Sequence, residues 1–227
     1  MDSNKLQKQY NAAIFDMDGT ILDTLEDLKD ALNHSLTEFG FRGEFTADET
    51  RPFFGSGAWT AVERALTAAG GAPEETVEEV LAFYKPWYAS HCDIKTRPYP
   101  GVIELIRTLK DAGVKVAVVS NKPDPAVQSL CRDYFPDLFD YAVGEKEGVK
   151  RKPSPDMVRS ALAELGVPAE QAVYIGDSEV DIQTAQNAGL ECICVDWGFR
   201  TKKDLVRSGA KTIVSTCDEI LSKLSLL

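Results

Sequence analysis

No apolar run in this 227-residue chain approaches the ~18 residues of a membrane-spanning helix. The opening stretch, Met1 to Tyr10, is polar and lacks the apolar centre of a secretory signal. Cysteine is sparse. Cys92, Cys131, Cys192, Cys194 and Cys217 are odd in number and form no Cys-x-x-Cys. That argues against a disulfide scaffold or a thiolate zinc site and predicts reduced thiols in a cytoplasmic protein. Positive charge is in deficit: 25 Lys and Arg face 36 Asp and Glu, a net charge of −11. Nucleic acid and anionic membranes are therefore disfavoured as partners. An anionic substrate would have to be drawn by local cations, backbone amides or a bound metal. Internal repeats and low-complexity segments are absent, and nothing in the sequence reads out an oligomeric state.

What is present in bulk is ordinary: 44% hydrophobic and 27% charged residues describe a globular chain. Its length suits one large domain or two modest ones. The most informative stretch is Asp16-Met17-Asp18-Gly19-Thr20, because Ala12-Ala13-Ile14-Phe15 before it reads as a buried strand. Carboxylates at a strand's C-terminal end sit where open α/β sheets bind ligands. Asp16 and Asp18, two apart on extended backbone, face the same way. Gly19 lets the chain turn and approach a ligand closely. Such a pair suits phosphoryl transfer, one carboxylate as nucleophile and the other as acid/base. A calcium loop would need glycine at its sixth position, which is Ile21 here.

Beyond Asp16 the spacing predicts helices over about 21–39, 60–69 and 74–88, with no convincing strand between about 22 and 95. Arg97-Pro98-Tyr99-Pro100-Gly101 reads as a linker. Strands at 114–119, 141–143, 172–175, 192–195 and 212–214 then alternate with helices at 102–110, 126–134, 155–165 and 182–188. Ser154 is the expected N-cap of the 155–165 helix, with Pro155 at its first position. The alternation predicts a doubly wound parallel sheet. The all-helical stretch reads as a second domain inserted after the first strand.

Three later strands also end in polar residues. Ser120 and Asn121 offer a hydroxyl and an amide for phosphate oxygens. Lys152, between Arg151 and Pro153, precedes a helix N-terminus that itself favours anions. Asp177 ends another strand, and Asp181 lies one helical turn on. Asp16, Asp18, Asp177 and Asp181 around one crevice could not all ionise without a cation. Hard carboxylate oxygens beside a phosphate fit Mg2+.

These segments, in this order, resemble the haloacid dehalogenase (HAD) superfamily of phosphotransferases. The resemblance rests on Asp16 to Thr20, Ser120-Asn121-Lys122, Lys152-Pro153-Ser154-Pro155 and Gly176 to Asp181. It implies a Rossmann-like core of residues 1–22 and 96–227 with a helical cap of residues 23–95. A closer likeness, over about residues 11–222, is to bacterial phosphoglycolate phosphatases. Gly55-Ser56-Gly57-Ala58, Val62 to Leu66, Arg97 to Val102, Ser120 to Pro123 and Asp196-Trp197-Gly198-Phe199 carry it. Arg51-Pro52-Phe53-Phe54 and Glu145 to Val149 depart from that pattern.

The resemblance implies Asp16 as nucleophile and Asp18 as general acid, then base. Phosphate-binding residues would be Ser120, Asn121, Lys152 and Gly19. Mg2+ would be held by the Asp16 and Asp177 side chains and the Asp18 main-chain carbonyl, with Asp181 behind them. Arg51, Gly55, Ser56 and Gly57 are candidates for a second anion site in the cap. The cap should hinge near Leu22 to Thr24 and Lys95 to Arg97. The expected activity is Mg2+-dependent hydrolysis of a small phosphorylated metabolite, 2-phosphoglycolate first. Alternatives are a phosphosugar mutase similar to β-phosphoglucomutase, another HAD phosphatase or pyrophosphatase, and a non-catalytic binding protein on the same scaffold. A dehalogenase is disfavoured because it lacks the acid that Asp18 supplies.

Overall fold

The computed structural model describes residues 10–226. The polar segment that argued against a secretory signal lies, up to residue 9, outside the described residues. Among the described residues no helix is long and apolar enough to cross a membrane.

The chain opens with β1 (Ala12–Phe15) and turns at Gly19 into β2 (Leu22–Asp23). Four helices follow: α1 (Leu25–Glu38), α2 (Ala47–Thr50), α3 (Ala58–Ala68) and α4 (Glu74–Ala89). The return passes through β3 (Arg97–Pro98), then α5 (Val102–Asp111), β4 (Lys115–Pro123), α6 (Asp124–Tyr134) and β5 (Tyr141–Glu145). The rest is α7 (Asp156–Leu165), β6 (Ala172–Gly176), α8 (Glu179–Ala188), β7 (Glu191–Val195), α9 (Lys202–Arg207), β8 (Thr212–Val214) and α10 (Cys217–Lys223).

Six strands form one parallel sheet in the order β5-β4-β1-β6-β7-β8. β1 is central: Ala12 pairs with Lys115 on one side and with Ala172 on the other. All four of its residues are buried, as expected of a parallel strand covered on both faces. Alternate side chains divide between two cores. Ala13 and Phe15 join Leu105, Ile106, Val127 and Ile220 on one face. Ala12 and Ile14 join Met157, Val158, Ala161 and Ala185 on the other. The sheet order reverses between β1 and β6, and a crevice opens at the carboxyl ends of strands at such a point. Asp16 and Asp177 follow those two strands.

Several boundaries differ from the sequence expectation: α1 begins at Leu25 rather than about 21, β4 runs on to Pro123, and α2, α9 and α10 are short helices that were not expected. β2 and β3 form an antiparallel pair, Leu22 against Pro98 and Asp23 against Arg97, where no strand was expected. Two-residue strands leave no periodicity to read. α7 begins at Asp156, with Pro155 as its cap; Ser154 instead donates its hydroxyl to Asp156 Oδ1 at 2.9 Å. α8 begins at Glu179 rather than Ile182, because Ser178 and Asp181 form a capping box in which the Ser178 N–H donates to the Asp181 carboxylate.

The two crossings between core and helical insert run side by side. Asp27 of α1 is buried and accepts from the main-chain N–H groups of Lys95 and Thr96 at 2.8 to 3.0 Å. The hydroxyls of Thr24 and Thr96, one on each crossing, are buried without a partner.

Candidate active site

Asp16 is placed by β1, whose register continues into the bond from its N–H to the Ile175 carbonyl at 2.9 Å. Lys152 comes from the segment before α7. Its ammonium is buried 2.8 Å from Asp16 Oδ1 and 2.9 Å from Asp181 Oδ1. It also donates to the Tyr174 hydroxyl at 3.0 Å. The Lys152 backbone is held by Asn121, whose amide donates to Lys152 O at 3.1 Å and accepts from Lys152 N at 2.8 Å. Asn121 thus clamps the lysine. Ser120 is buried beside it, and its hydroxyl accepts from the Lys122 N–H at 3.2 Å.

Asp181 is the most committed carboxylate. Oδ2 accepts from Asp177 N, Ser178 N and Ser178 Oγ at 3.2, 3.1 and 2.7 Å. Oδ1 accepts from Lys152 and from the Tyr174 hydroxyl. Burial alone would raise its pKa, but Lys152 and the hydrogen bonds from Ser178 and Tyr174 hold it below the usual carboxylate range. Asp16 moves the other way: burial, then the charge of Asp181, pushes it well up, against the pull of Lys152. Asp177 is pushed up to about 7 by burial and by Asp181, although the Phe199 N–H opposes this.

Oxygens of Asp16, Asp177 and Asp181 lie within 4.8 Å of one another. Three buried carboxylates carry more negative charge than Lys152 balances, and all their donors are hard oxygens. That set could hold a metal ion. Gly19 is required beside it: at φ +82°, a Cβ there would come within 2.5 Å of Asp177 Oδ2. The Gly19 N–H is itself bonded to Leu22 O at 2.9 Å.

Asp18 stands outside the trio. Its Oδ1 accepts from Lys122 at 2.8 Å, and the same ammonium is hydrogen-bonded to the Tyr88 hydroxyl of α4. Lys122 and Tyr88 were not singled out from sequence. The signal available was Lys122 itself, inside Ser120-Asn121-Lys122.

A cavity of about 70 Å3 lies between this edge and the insert. Core residues Asp16, Asp18, Ser120, Asn121, Lys122 and Lys152 form its floor. Phe54, Gly55, Gly57, Tyr84, Lys85 and Tyr88 of the insert line its roof. Arg51 and Ser56 are not among the lining residues. Arg51 instead donates to Gly198 O at 3.0 Å. His34 and His91 pack against Trp87 elsewhere in the insert.

The haloacid dehalogenase-like hydrolase family matches residues 13–195. A phosphoglycolate phosphatase of Rhodobacter capsulatus is 36% identical over 203 residues, 88% of this chain and 91% of that protein. A solved structure assigned as a phosphoglycolate phosphatase, from Lactobacillus delbrueckii subsp. bulgaricus, is 47% identical with a TM-score of 0.91. It covers 95% of this chain, which covers 98% of it. CbbY of Rhodobacter sphaeroides, solved as a mutant with xylulose-1,5-bisphosphate, is 28% identical with a TM-score of 0.77, covering 95% and 99%. Its match thus extends over nearly the whole of both chains, insert included. With the family match over residues 13–195 and relatives that align along nearly the whole chain, the chain belongs to the haloacid dehalogenase-like hydrolases, as a phosphoglycolate phosphatase-like phosphatase.

Proposed function

We propose that this phosphatase hydrolyses a small phosphorylated hydroxy acid, 2-phosphoglycolate first, through a phosphoryl group carried on Asp16. The observation that carries the reading is the meeting of Asp16, Asp177, Asp181 and Lys152 under a small capped cavity. Asp16, Asp177 and the Asp18 main chain would hold Mg2+, which supplies positive charge that lets an anionic carboxylate approach an anionic ester.

The chain's own groups do the rest. An Asp16 oxygen attacks phosphorus, and the ester P–O bond breaks. Asp18 gives its proton to the departing alkoxide. Asp18, now a carboxylate, takes a proton from water as that water attacks phosphorus. The Asp16–phosphorus bond then breaks and inorganic phosphate leaves. Lys152 and the Ser120 hydroxyl bind the phosphoryl oxygens, with Lys152 meeting the charge that develops on them. Asn121 holds Lys152 for that task. The mostly apolar roof excludes bulk water and strengthens these interactions. Lys85, the roof's only cation among the described lining residues, suits a substrate that bears a carboxylate.

The test compares kcat/KM for 2-phosphoglycolate, glycerol phosphate, pyrophosphate and hexose phosphates, with Mg2+ and with excess chelator. The expected result is preference for 2-phosphoglycolate and no turnover in chelator. Preference for a neutral phosphosugar, or isomerisation of it without phosphate release, overturns the substrate assignment.

A further inference from the structure

The segment after β7 touches the nucleophile turn, the start of α8 and the helical insert. Trp197 Nε1 donates to Thr20 O at 3.1 Å. Gly198 lies so close to the nucleophile turn that a Cβ would meet Gly19 O at 2.3 Å and Asp177 Oδ2 at 2.4 Å. The Phe199 N–H donates to Asp177 Oδ2 at 2.5 Å. Arg200 points toward the insert. Its Nε and Nη2 donate to the two oxygens of Glu179 at 2.7 and 2.8 Å. Nη2 also donates to Phe54 O at 2.9 Å, and Nη1 to Arg51 O at 3.5 Å.

The insert answers in kind. Arg51 Nη1 donates to Gly198 O, and the Phe54 ring lies against Phe199, centroids 6.1 Å apart. Two short segments, Arg51 to Phe54 and Gly198 to Arg200, therefore exchange hydrogen bonds in both directions. Phe199 sits inside that exchange, and its N–H holds Asp177. The Arg200 side chain is only 11% exposed. Its planar fork serves Glu179 and two carbonyls at once, a geometry that an ammonium cannot copy.

We infer that Arg200 is a positioning residue that couples seating of the helical insert on the core to placement of the Asp177 carboxylate. With the insert seated, Gly198 is fixed through its carbonyl and Arg200 through its guanidinium, so the intervening N–H is aimed. With the insert lifted, both anchors are lost and Asp177 loses a preset donor. The inference rests on the proposed role of Asp177 in holding Mg2+. Partners behind a metal-binding carboxylate typically change affinity or activity by about 10–100-fold.

The experiment perturbs one side and reads the other. Arg51→Ala acts from the insert; Arg200→Ala and the milder Arg200→Lys act from the core. Amide hydrogen exchange is followed at Phe199 and across residues 51–57, and Mg2+ binding to the protein alone is measured by titration calorimetry. The expected result is that Arg51→Ala speeds exchange at Phe199 about tenfold and all three variants weaken Mg2+ by about tenfold. kcat should fall with them and KM change less, and Arg200→Lys should not rescue. Faster exchange confined to residues 51–57, with Phe199 unchanged in Arg51→Ala, overturns the coupling. Unchanged Mg2+ affinity in a folded Arg200→Ala protein does the same. Wild-type protein that binds no Mg2+ sinks the proposed function instead, while Phe199 exchange still decides the coupling.

Discussion

Lys122 and Asp18 form an ion pair, Nζ to Oδ1 at 2.8 Å, in which the lysine side chain is 2% exposed and the aspartate 19%. The same ammonium is hydrogen-bonded to Tyr88, so one cation links the proposed acid/base to the roof of the cavity. Lys122→Met should leave Asp18 without its anchor and Tyr88 without its donor. We expect kcat/KM to fall by about 10²-fold, the low end of what an acid/base group contributes. Tyr88→Phe should cost less than Lys122→Met, because the pair with Asp18 survives. Steady-state kinetics on 2-phosphoglycolate decides it; near-wild-type activity in Lys122→Met would detach the lysine from the reaction.

Asp16→Asn should abolish turnover without loosening the fold. Burial and the Asp181 charge already disfavour the Asp16 carboxylate, and Lys152 keeps Asp181 as partner. The melting temperature should hold or rise. A marked fall would mean that the Asp16–Lys152 pair is structural first.

Asp181→Ala should behave differently. It strips Lys152 of one partner and frees the N–H groups of Asp177 and Ser178. Removing one member of a buried, hydrogen-bonded pair costs about 3–5 kcal/mol. Urea unfolding measures this. A loss under about 1 kcal/mol, with activity gone, would assign Asp181 to chemistry alone.

Acid should loosen the contact between α1 and the return crossing of the insert. Burial would raise the Asp30 pKa, but Lys95 and Lys29 outweigh it and the carboxyl sits below its usual range. A depressed folded pKa adds stability above the unfolded value and loses it as pH falls through the folded one. The stability gap between wild type and Asp30→Asn should be constant at neutral pH and close below the ordinary aspartate range. A gap that widens in acid contradicts the pairing.

Much of this fold could be read from residue order. β1 reads as buried because its four residues are apolar, Asp16 and Asp177 follow apolar strands, and Lys152 stands just before Pro153, which marks its place. What escaped depended on distant partners. Lys122 is only one letter of the Ser120-Asn121-Lys122 motif until Tyr88 and Asp18 are seen around it. Arg51 looks free to meet a substrate until Gly198 O appears in its path. Asn121 looks like a ligand group, yet its amide is engaged by the Lys152 backbone. Short elements failed for another reason: β2 and β3 are too brief to show a period.

The central strand has a further consequence, in time rather than space. β1 is synthesised well before its partners Lys115 and Ala172. α1 packs on α4, and α3 on α4, within one contiguous stretch. Local contacts form before distant ones because less loop entropy is lost. The insert should therefore consolidate while the strand bearing Asp16 still waits for its neighbours. In pulsed hydrogen exchange during refolding, amides of α1 and α4 should gain protection before those of Ala13 and Phe15. The reacting carboxylate would then be among the last groups of this chain to reach its place.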